Sequence, residues 1–309
     1  MRGVERKVVL VSRATRLDEV LRRHQTLEQA RYAVERLGGD FGDYLAEHRA
    51  YAEARTVLVD TLSAHGRYQV IDRSLLPNFI FAPDDVVVAM GQDGVVANTL
   101  KYLDGHPLIG VNPDPARFDG VLLPFQPGDF ARILPEVLAG RRGARSITIA
   151  QASLSDGQSL LAVNDFFAGP HSHTSARYEI AFAGRSEIQS SSGIIVCTGL
   201  GSSAWMKSIA TGALAVAHSL GAPDSGRYEP FAWDATNLQF AVREPFTSRS
   251  SSAGIVFGSI AKDEALEVRS LMGGNGVIFS DGIESDYLEF NAGVSARFGV
   301  SRRVGRLVV

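Results

Sequence analysis

Apolar positions in the first part of the chain come in two rhythms. Short β-branched runs predict strands at Lys7–Ser12 (KVVLVS), Tyr68–Asp72 (YQVID), Asp84–Met90 (DDVVVAM) and His106–Asn112 (HPLIGVN), where apolar residues follow one another with little alternation. Longer amphipathic stretches predict helices at Asp43–Gly66 and Asp129–Gly140, each closed by a glycine. Strands alternating with helices predict a parallel sheet covered on both faces. After Gly140–Arg145 (GRRGAR) strand-like runs recur at short spacing: RSITIAQASL, SLLAVNDFFAG, ARYEIAFAG, SSGIIVCTG, LQFAVRE, AGIVFGSI, ALEVRS, GVIFSDG and SARFGVS. These predict a β-rich second domain, interrupted by one helix within Gly201–Gly221. The expected organisation is therefore an α/β N-terminal domain with a parallel sheet over residues 1–140 and a β-rich C-terminal domain over residues 141–309, with the last ~20 residues able to pack back on the first domain.

Composition narrows the classes without choosing among them. The 309 residues are enough for roughly two domains at about 100–200 residues each. A hydrophobic share of 45% and a charged share of 21% are those of an ordinary globular protein, and no apolar run approaches the length of a membrane span. With 31 basic and 34 acidic residues the net charge is −3, so neither a nucleic-acid nor a membrane partner is expected. The single cysteine, Cys197, excludes an internal disulfide and fits a reducing compartment. The opening MRGVERKVVLVS turns directly into a strand pattern, and a cytoplasmic location is expected.

Candidate chemistry begins at Gly91-Gln92-Asp93-Gly94, between the buried run ending at Met90 and a helical continuation. A parallel strand delivers such a turn to the carboxyl edge of the sheet, and the following helix points free N–H groups toward that edge. Glycines let the main chain approach a phosphate, while a carboxylate beside them can take a proton from a hydroxyl. Gly201-Ser202-Ser203 likewise opens a helix with unpaired N–H groups and hydroxyls. Other features have simpler readings. His171 and His173 belong to a solvated loop, Cys197 to a strand interior, and Ser155-Asp156-Gly157 and Asp281-Gly282 to hairpin turns. Gly273–Gly276 precedes a strand rather than a helix, so it is not a dinucleotide fingerprint, and GRRGAR is an interdomain linker.

The Gly91–Gly94 turn resembles the Gly-Gly-Asp-Gly loop of the NAD kinase and lipid kinase superfamily. PLIGVNPDPARFDGVLLP, LAVNDFFAG, SSGIIVCTGLGSSAW, FAVREPF and FSDGIESDYLEFNAG resemble, in order, further segments of the NAD kinases, closest to the mitochondrial-type branch. The resemblance implies an NAD kinase/diacylglycerol kinase-like two-domain fold and transfer of a phosphoryl group from ATP or polyphosphate to the 2′-hydroxyl of NAD. By position, Asp93 would activate that hydroxyl, and Gly91, Gln92 and Gly94 would form the phosphate loop. Asn164, Asp165, Thr198, Gly201, Ser202, Ala204 and Trp205 would bind NAD, and Asp281 falls at a further Asp-Gly of the family. Mg²⁺ accompanying ATP and a homodimer or higher homo-oligomer are implied as well, with no dedicated metal-ligand set.

The chain departs from the family's pattern at several positions. Gln92 replaces the loop's second glycine, and a residue other than glycine would cost about 1–3 kcal/mol there if the position needed φ > 0. Val95 replaces a threonine, Ser192 an aspartate and Asp165 a glutamate. Two alternatives accompany the kinase reading: an NAD(P)(H)-binding protein without turnover, and a kinase of another nucleotide or sugar.

Overall fold

The computed structural model describes residues 6–223, 226–284 and 286–309. Contacts divide the chain into two compact units, Met1–Arg145 with Arg306–Val309, and Ser146–Gly305.

The first unit contains β1 (Val8–Ser12), α1 (Arg16–His24), α2 (Leu27–Arg36), α3 (Phe41–His65), β2 (Tyr68–Asp72), β3 (Val86–Met90), α4 (Asp93–Leu100), β4 (Pro107–Val111) and α5 (Phe130–Leu138). The strands are parallel in the order β2-β1-β3-β4, with Val8 opposite both Tyr68 and Val86, and Met90 opposite Val111. Every residue of β3 is buried, which explains its unbroken apolar run: helices cover a parallel sheet on both faces, so neither face selects polar side chains. Tyr51, Ala54, Leu58 and Leu62 of α3 recur at helical spacing and pack with Phe130, Ile133, Leu134 and Val137 of α5 over Leu10, Val88, Met90 and Ile109. Helix α3 starts ahead of its expected first residue because Asp40 caps it, accepting hydrogen bonds from the N–H of Gly42 (2.8 Å) and Asp43 (3.4 Å).

Helices α1 and α2 lie where no element was expected. Their sequence is mostly polar, and they bury little beyond Leu17, Ala30 and Val34, which pack with Phe41. Their start signals are nevertheless written in the chain. Thr15 and Asp18 form a reciprocal capping box, and Thr26 caps α2.

The second unit contains most of β5 (Ala144–Leu154), then β6 (Ser159–Ala162), β7 (Asp165–Pro170), β8 (Ala176–Phe182), β9 (Arg185–Ser191), β10 (Ile194–Cys197), α6 (Trp205–Ser219), β11 (Leu238–Val242), β12 (Phe257–Ile260), β13 (Leu266–Ser270), β14 (Gly276–Ser280), β15 (Tyr287–Glu289) and most of β16 (Ser295–Val308). One sheet runs β12-β11-β10-β7-β14-β15 with every pairing antiparallel. In the other, β16, β13, β8 and β9 are consecutive neighbours and β5 pairs with both β16 and β6. The core holds Phe166, Val196, Phe240 and Ile278 from the first of these sheets against Tyr178, Ile180, Val268 and Phe298 from the second. Strand β9 was not among the expected runs. The polar sequence of β9, RSEIQSS, gives little apolar signal.

The run SLLAVNDFFAG divides into β6 and β7, broken at Val163-Asn164. At its far end β16 leaves the second unit and adds to the first sheet, with Arg306 and Leu307 opposite Pro107 and Leu108 in parallel.

Candidate functional site

In the first unit, β3 ends at Met90 and the chain reverses through Gly91 into α4, which begins at Asp93. Gly91 has φ +154°, a conformation that side chains disfavour, and a Cβ there would also press on Val95 Cγ2 at 3.0 Å. Gln92 has φ −105° and ψ 167°, ordinary extended geometry, so a residue other than glycine carries no backbone strain at this position. Gly94 lies in the first turn of α4 with open space where a Cβ would be. Among the described residues no hydrogen bond is made by the N–H groups of Gln92, Asp93 or Gly94, so these donors face the turn unpaired. Val95 is buried and packs beside Gly91, so its side chain does not present a group to the turn.

The half-buried Asp93 accepts hydrogen bonds from the backbone N–H of Leu122 (2.7 Å, Oδ1) and Val121 (3.3 Å, Oδ2). These tie α4 to the loop after β4 while leaving further lone pairs on the carboxylate. Asn112 organises the same loop, donating to the Phe118 carbonyl (2.9 Å) and accepting from Asp114 N–H (3.1 Å). Gly110 of β4 is needed because the Leu122 carbonyl crosses so closely that a Cβ would collide with it.

Behind the turn stands a charged ladder that the sequence reading did not single out. Glu47 of α3, almost fully buried, pairs with Arg13 Nη2 at 2.8 Å and with Arg16 Nε. Arg16 also pairs with Asp43 (2.7 Å), Asp43 with Arg117 (2.6 Å), and Arg117 with Asp114 (3.1 Å). Burial opposes ionisation of Glu47, yet the hydrogen bonds from Arg16 and Arg13 hold its carboxyl below the usual range. Hydrogen bonds from Arg117 and Arg16 bring Asp43 down to about 2. Tyr51 joins the ends of β1 and β3, its hydroxyl accepting from Arg13 N–H (2.8 Å) and donating to the Met90 carbonyl (3.3 Å). The signal that could have found Arg13 is its place directly after β1, at the same sheet edge as the glycine turn.

In the second unit the expected residues gather around the break between β6 and β7. Asp281, in the left-handed region at φ +55°, accepts from the consecutive N–H groups of Val163 (3.1 Å), Asn164 (2.6 Å) and Asp165 (3.3 Å). Its carboxylate thus fixes the backbone that carries Asn164 and Asp165. Thr198 is fully buried, donating to the Val163 carbonyl (2.5 Å) and accepting from Gly201 N–H (3.2 Å). The hydroxyl of Ser202 is also occupied, donating to Gly199 (2.6 Å) and accepting from Phe231 N–H (3.1 Å). A Cβ on Gly201 would collide with the Asn164 carbonyl, so the turn closes directly on that backbone. Ala204 is exposed immediately before α6, and Trp205 stacks on Phe167 at 6.0 Å and 9° with the Arg243 guanidinium 5.4 Å from its ring.

Thr198, Gly201, Ser202 and Asp281 therefore shape the turn. The Asn164 amide and the Asp165 carboxyl are left without hydrogen-bond partners among the described residues. Asp165 is 6% exposed, and burial, reinforced by the charge of Asp281, pushes it up to about 7. Across the ladder its neighbour Cys197 is pushed up to about 12, chiefly by burial, as an inert core thiol. His171 and His173 lie exposed in a loop.

No family model matches the chain. The human and rat proteins named NAD kinase 2, mitochondrial, are each 27% identical to it over 64% of this chain, covering 57% and 59% of their own lengths. In sequence the chain resembles the NAD kinases. It spans less than three-fifths of the length of these two relatives. The fold agrees with the resemblance. Yeast NADH kinase complexed with NADH matches 99% of this chain and 84% of its own, with TM-score 0.58 and 13% identity. An NAD kinase from Archaeoglobus fulgidus in complex with ATP matches 98% and 93%, with TM-score 0.54 and 16% identity. A parallel α/β unit and an antiparallel β-rich unit make this an NAD kinase-like fold.

Proposed function

We propose that the chain is an NAD kinase-like phosphotransferase that moves the terminal phosphoryl group of ATP to the 2′-hydroxyl of NAD, giving NADP. The similarity to NAD kinase 2 carries this reading. The local chemistry supports it: Asp93 holds a half-buried carboxylate at the start of α4, beside unpaired N–H donors suited to phosphate oxygens. In the transfer a bond forms between the ribose oxygen and phosphorus while the bond from phosphorus to the leaving nucleoside diphosphate breaks, and Asp93 takes the hydroxyl proton. In the second unit, Asn164 and Asp165 offer the amide and carboxyl that bind the dinucleotide, held in place by Asp281, Thr198 and Gly201.

Among the described residues no group of three or more His, Cys, Asp or Glu side chains is arranged to hold a metal ion. Mg²⁺ in this reading arrives on the phosphates of ATP and neutralises their charge. No helix among the described residues is long and apolar enough to cross a membrane. A cytoplasmic location and a homo-oligomer assembled through the second unit complete the proposal. The single cysteine supports the first, and the resemblance to the NAD kinases supports the second.

The test is NADP formation by the purified chain with NAD, Mg²⁺ and either ATP or polyphosphate, run in parallel with Asp93→Asn. Turnover should fall by at least about 10²-fold in the variant, as expected for loss of a general base, with NAD affinity little changed. NAD binding without turnover in the unsubstituted chain would make it a binding protein instead. Full activity in Asp93→Asn would remove the catalytic role of that carboxylate.

A further inference from the structure

Arg13 is the first residue after β1, and the pairing of β1 with β3 brings it to the Gly91 turn. Its side chain is nine-tenths buried, with an exposure of 10%. Two of its nitrogens are occupied: Nη2 by Glu47 at 2.8 Å and Nη1 by the Ala14 carbonyl at 2.9 Å. The third, Nε, is buried with no hydrogen-bond partner among the described residues. It lies against the glycine turn, 3.5 Å from where a Cβ on Gly91 would stand. The guanidinium is enclosed by the rings of Tyr51 at 5.7 Å and Phe118 at 5.9 Å.

A buried donor without an acceptor is rare, and an always-charged guanidinium makes it rarer. The same turn holds the unpaired N–H groups of Gln92, Asp93 and Gly94 at the start of α4. Unsatisfied donors from two different elements therefore face one turn, and both kinds call for an anion. The charged ladder places this positive charge with care. From Arg13 through Glu47, Arg16, Asp43 and Arg117 to Asp114 the signs alternate, so the ladder is neutral as a whole and its cationic end lies at Gly91. Nothing in this arrangement depends on a hydroxyl at Val95, whose side chain is buried, or on a glycine at Gln92.

We propose that Arg13 is a donor-binding residue: its Nε and the N–H groups that open α4 take the terminal phosphates of the phosphoryl donor, supplying charge that this turn lacks in its own side chains. The inference rests on the kinase reading above for the identity of the donor, but not for the anion site itself. It is tested by calorimetry of the full chain with tripolyphosphate and, separately, with NAD, using Arg13→Met and Arg13→Lys. Arg13→Met should weaken tripolyphosphate binding by about tenfold or more, the scale of a charge-assisted hydrogen bond, and leave NAD affinity unchanged. Arg13→Lys keeps the charge without the fixed Nε and should fall between the two. In turnover the KM for ATP should rise while the KM for NAD does not.

Tripolyphosphate binding that is absent from the unsubstituted chain, or equal in the variants, would overturn the assignment. Parallel loss of NAD affinity would also overturn it, by reducing Arg13 to a structural prop. Should Arg13→Met fail to fold, the Arg13→Lys comparison decides alone. A chain that binds tripolyphosphate through Arg13 yet forms no NADP would retain this inference while losing the kinase reading.

Discussion

Asp165 is the residue whose environment differs most from what its chemistry prefers. An isolated aspartate has a pKa of about 3.9, whereas burial and the neighbouring Asp281 push this one up to about 7. The folded state thus holds a proton that the unfolded chain releases between about pH 4 and pH 7, so this group makes stability fall as pH rises through that window and level off above it. The span corresponds to on the order of 2–4 kcal/mol at 1.4 kcal/mol per unit, less whatever local relaxation recovers. Asp165→Asn should remove that slope, so that its denaturation midpoint exceeds the unsubstituted chain's at pH 8 and approaches it at pH 4. Denaturant titrations at the two pH values measure the difference, and parallel curves would show that Asp165 is already solvated.

At the scale of elements, the turn from β10 into α6 is closed by contact between backbones. Gly201 lies on the Asn164 carbonyl, and Thr198 binds the two carbonyls of the β6–β7 break, those of Val163 and Asn164. Gly201→Ala should therefore displace Asn164, costing about 1–3 kcal/mol as overpacking does and weakening NAD binding more than tripolyphosphate binding. Melting curves and calorimetry on the variant check this, and an unchanged NAD affinity would separate the turn from the dinucleotide site. The break itself was not legible in SLLAVNDFFAG, because an apolar run carries no mark of a distant carboxylate. Asp281 reaches it only once β14 lies beside β7. Helices α1 and α2 were missed for another reason. Their capping residues were present, but helices that bury so few side chains show little apolar periodicity.

For the whole molecule, the end of the chain matters to the unit in which the chain begins. Leu307 and Val308 are buried, and Arg306 and Leu307 pair with β4. Removing Arg306–Val309 should expose that edge and lower the stability of the first unit by several kcal/mol, given about 1.5–3 kcal/mol for each buried aliphatic side chain. Proteolysis and melting of the shortened chain measure this, and an unaltered melting profile would show the added strand to be dispensable.

The sequence by itself determined the class of each unit, the parallel strands, the long helix α3 and the turn bearing Asp93. These follow from hydrophobic period and from glycine placement, which act over a few residues at a time. Ordered segments resembling the NAD kinases carried the family reading, and the sequence comparison and the shared fold agree with it. Only the tertiary structure decided which polar groups are satisfied within the protein. Thr198, Ser202 and Asp281 make their hydrogen bonds within the protein, whereas the side chains of Asn164 and Asp165 and the Nε of Arg13 have no hydrogen-bond partner among the described residues. The physical reason is that hydrogen-bond satisfaction and desolvation depend on partners far away in the chain: Asp281 meets Asn164, and Arg13 meets Glu47 and Gly91, only after the sheets have formed.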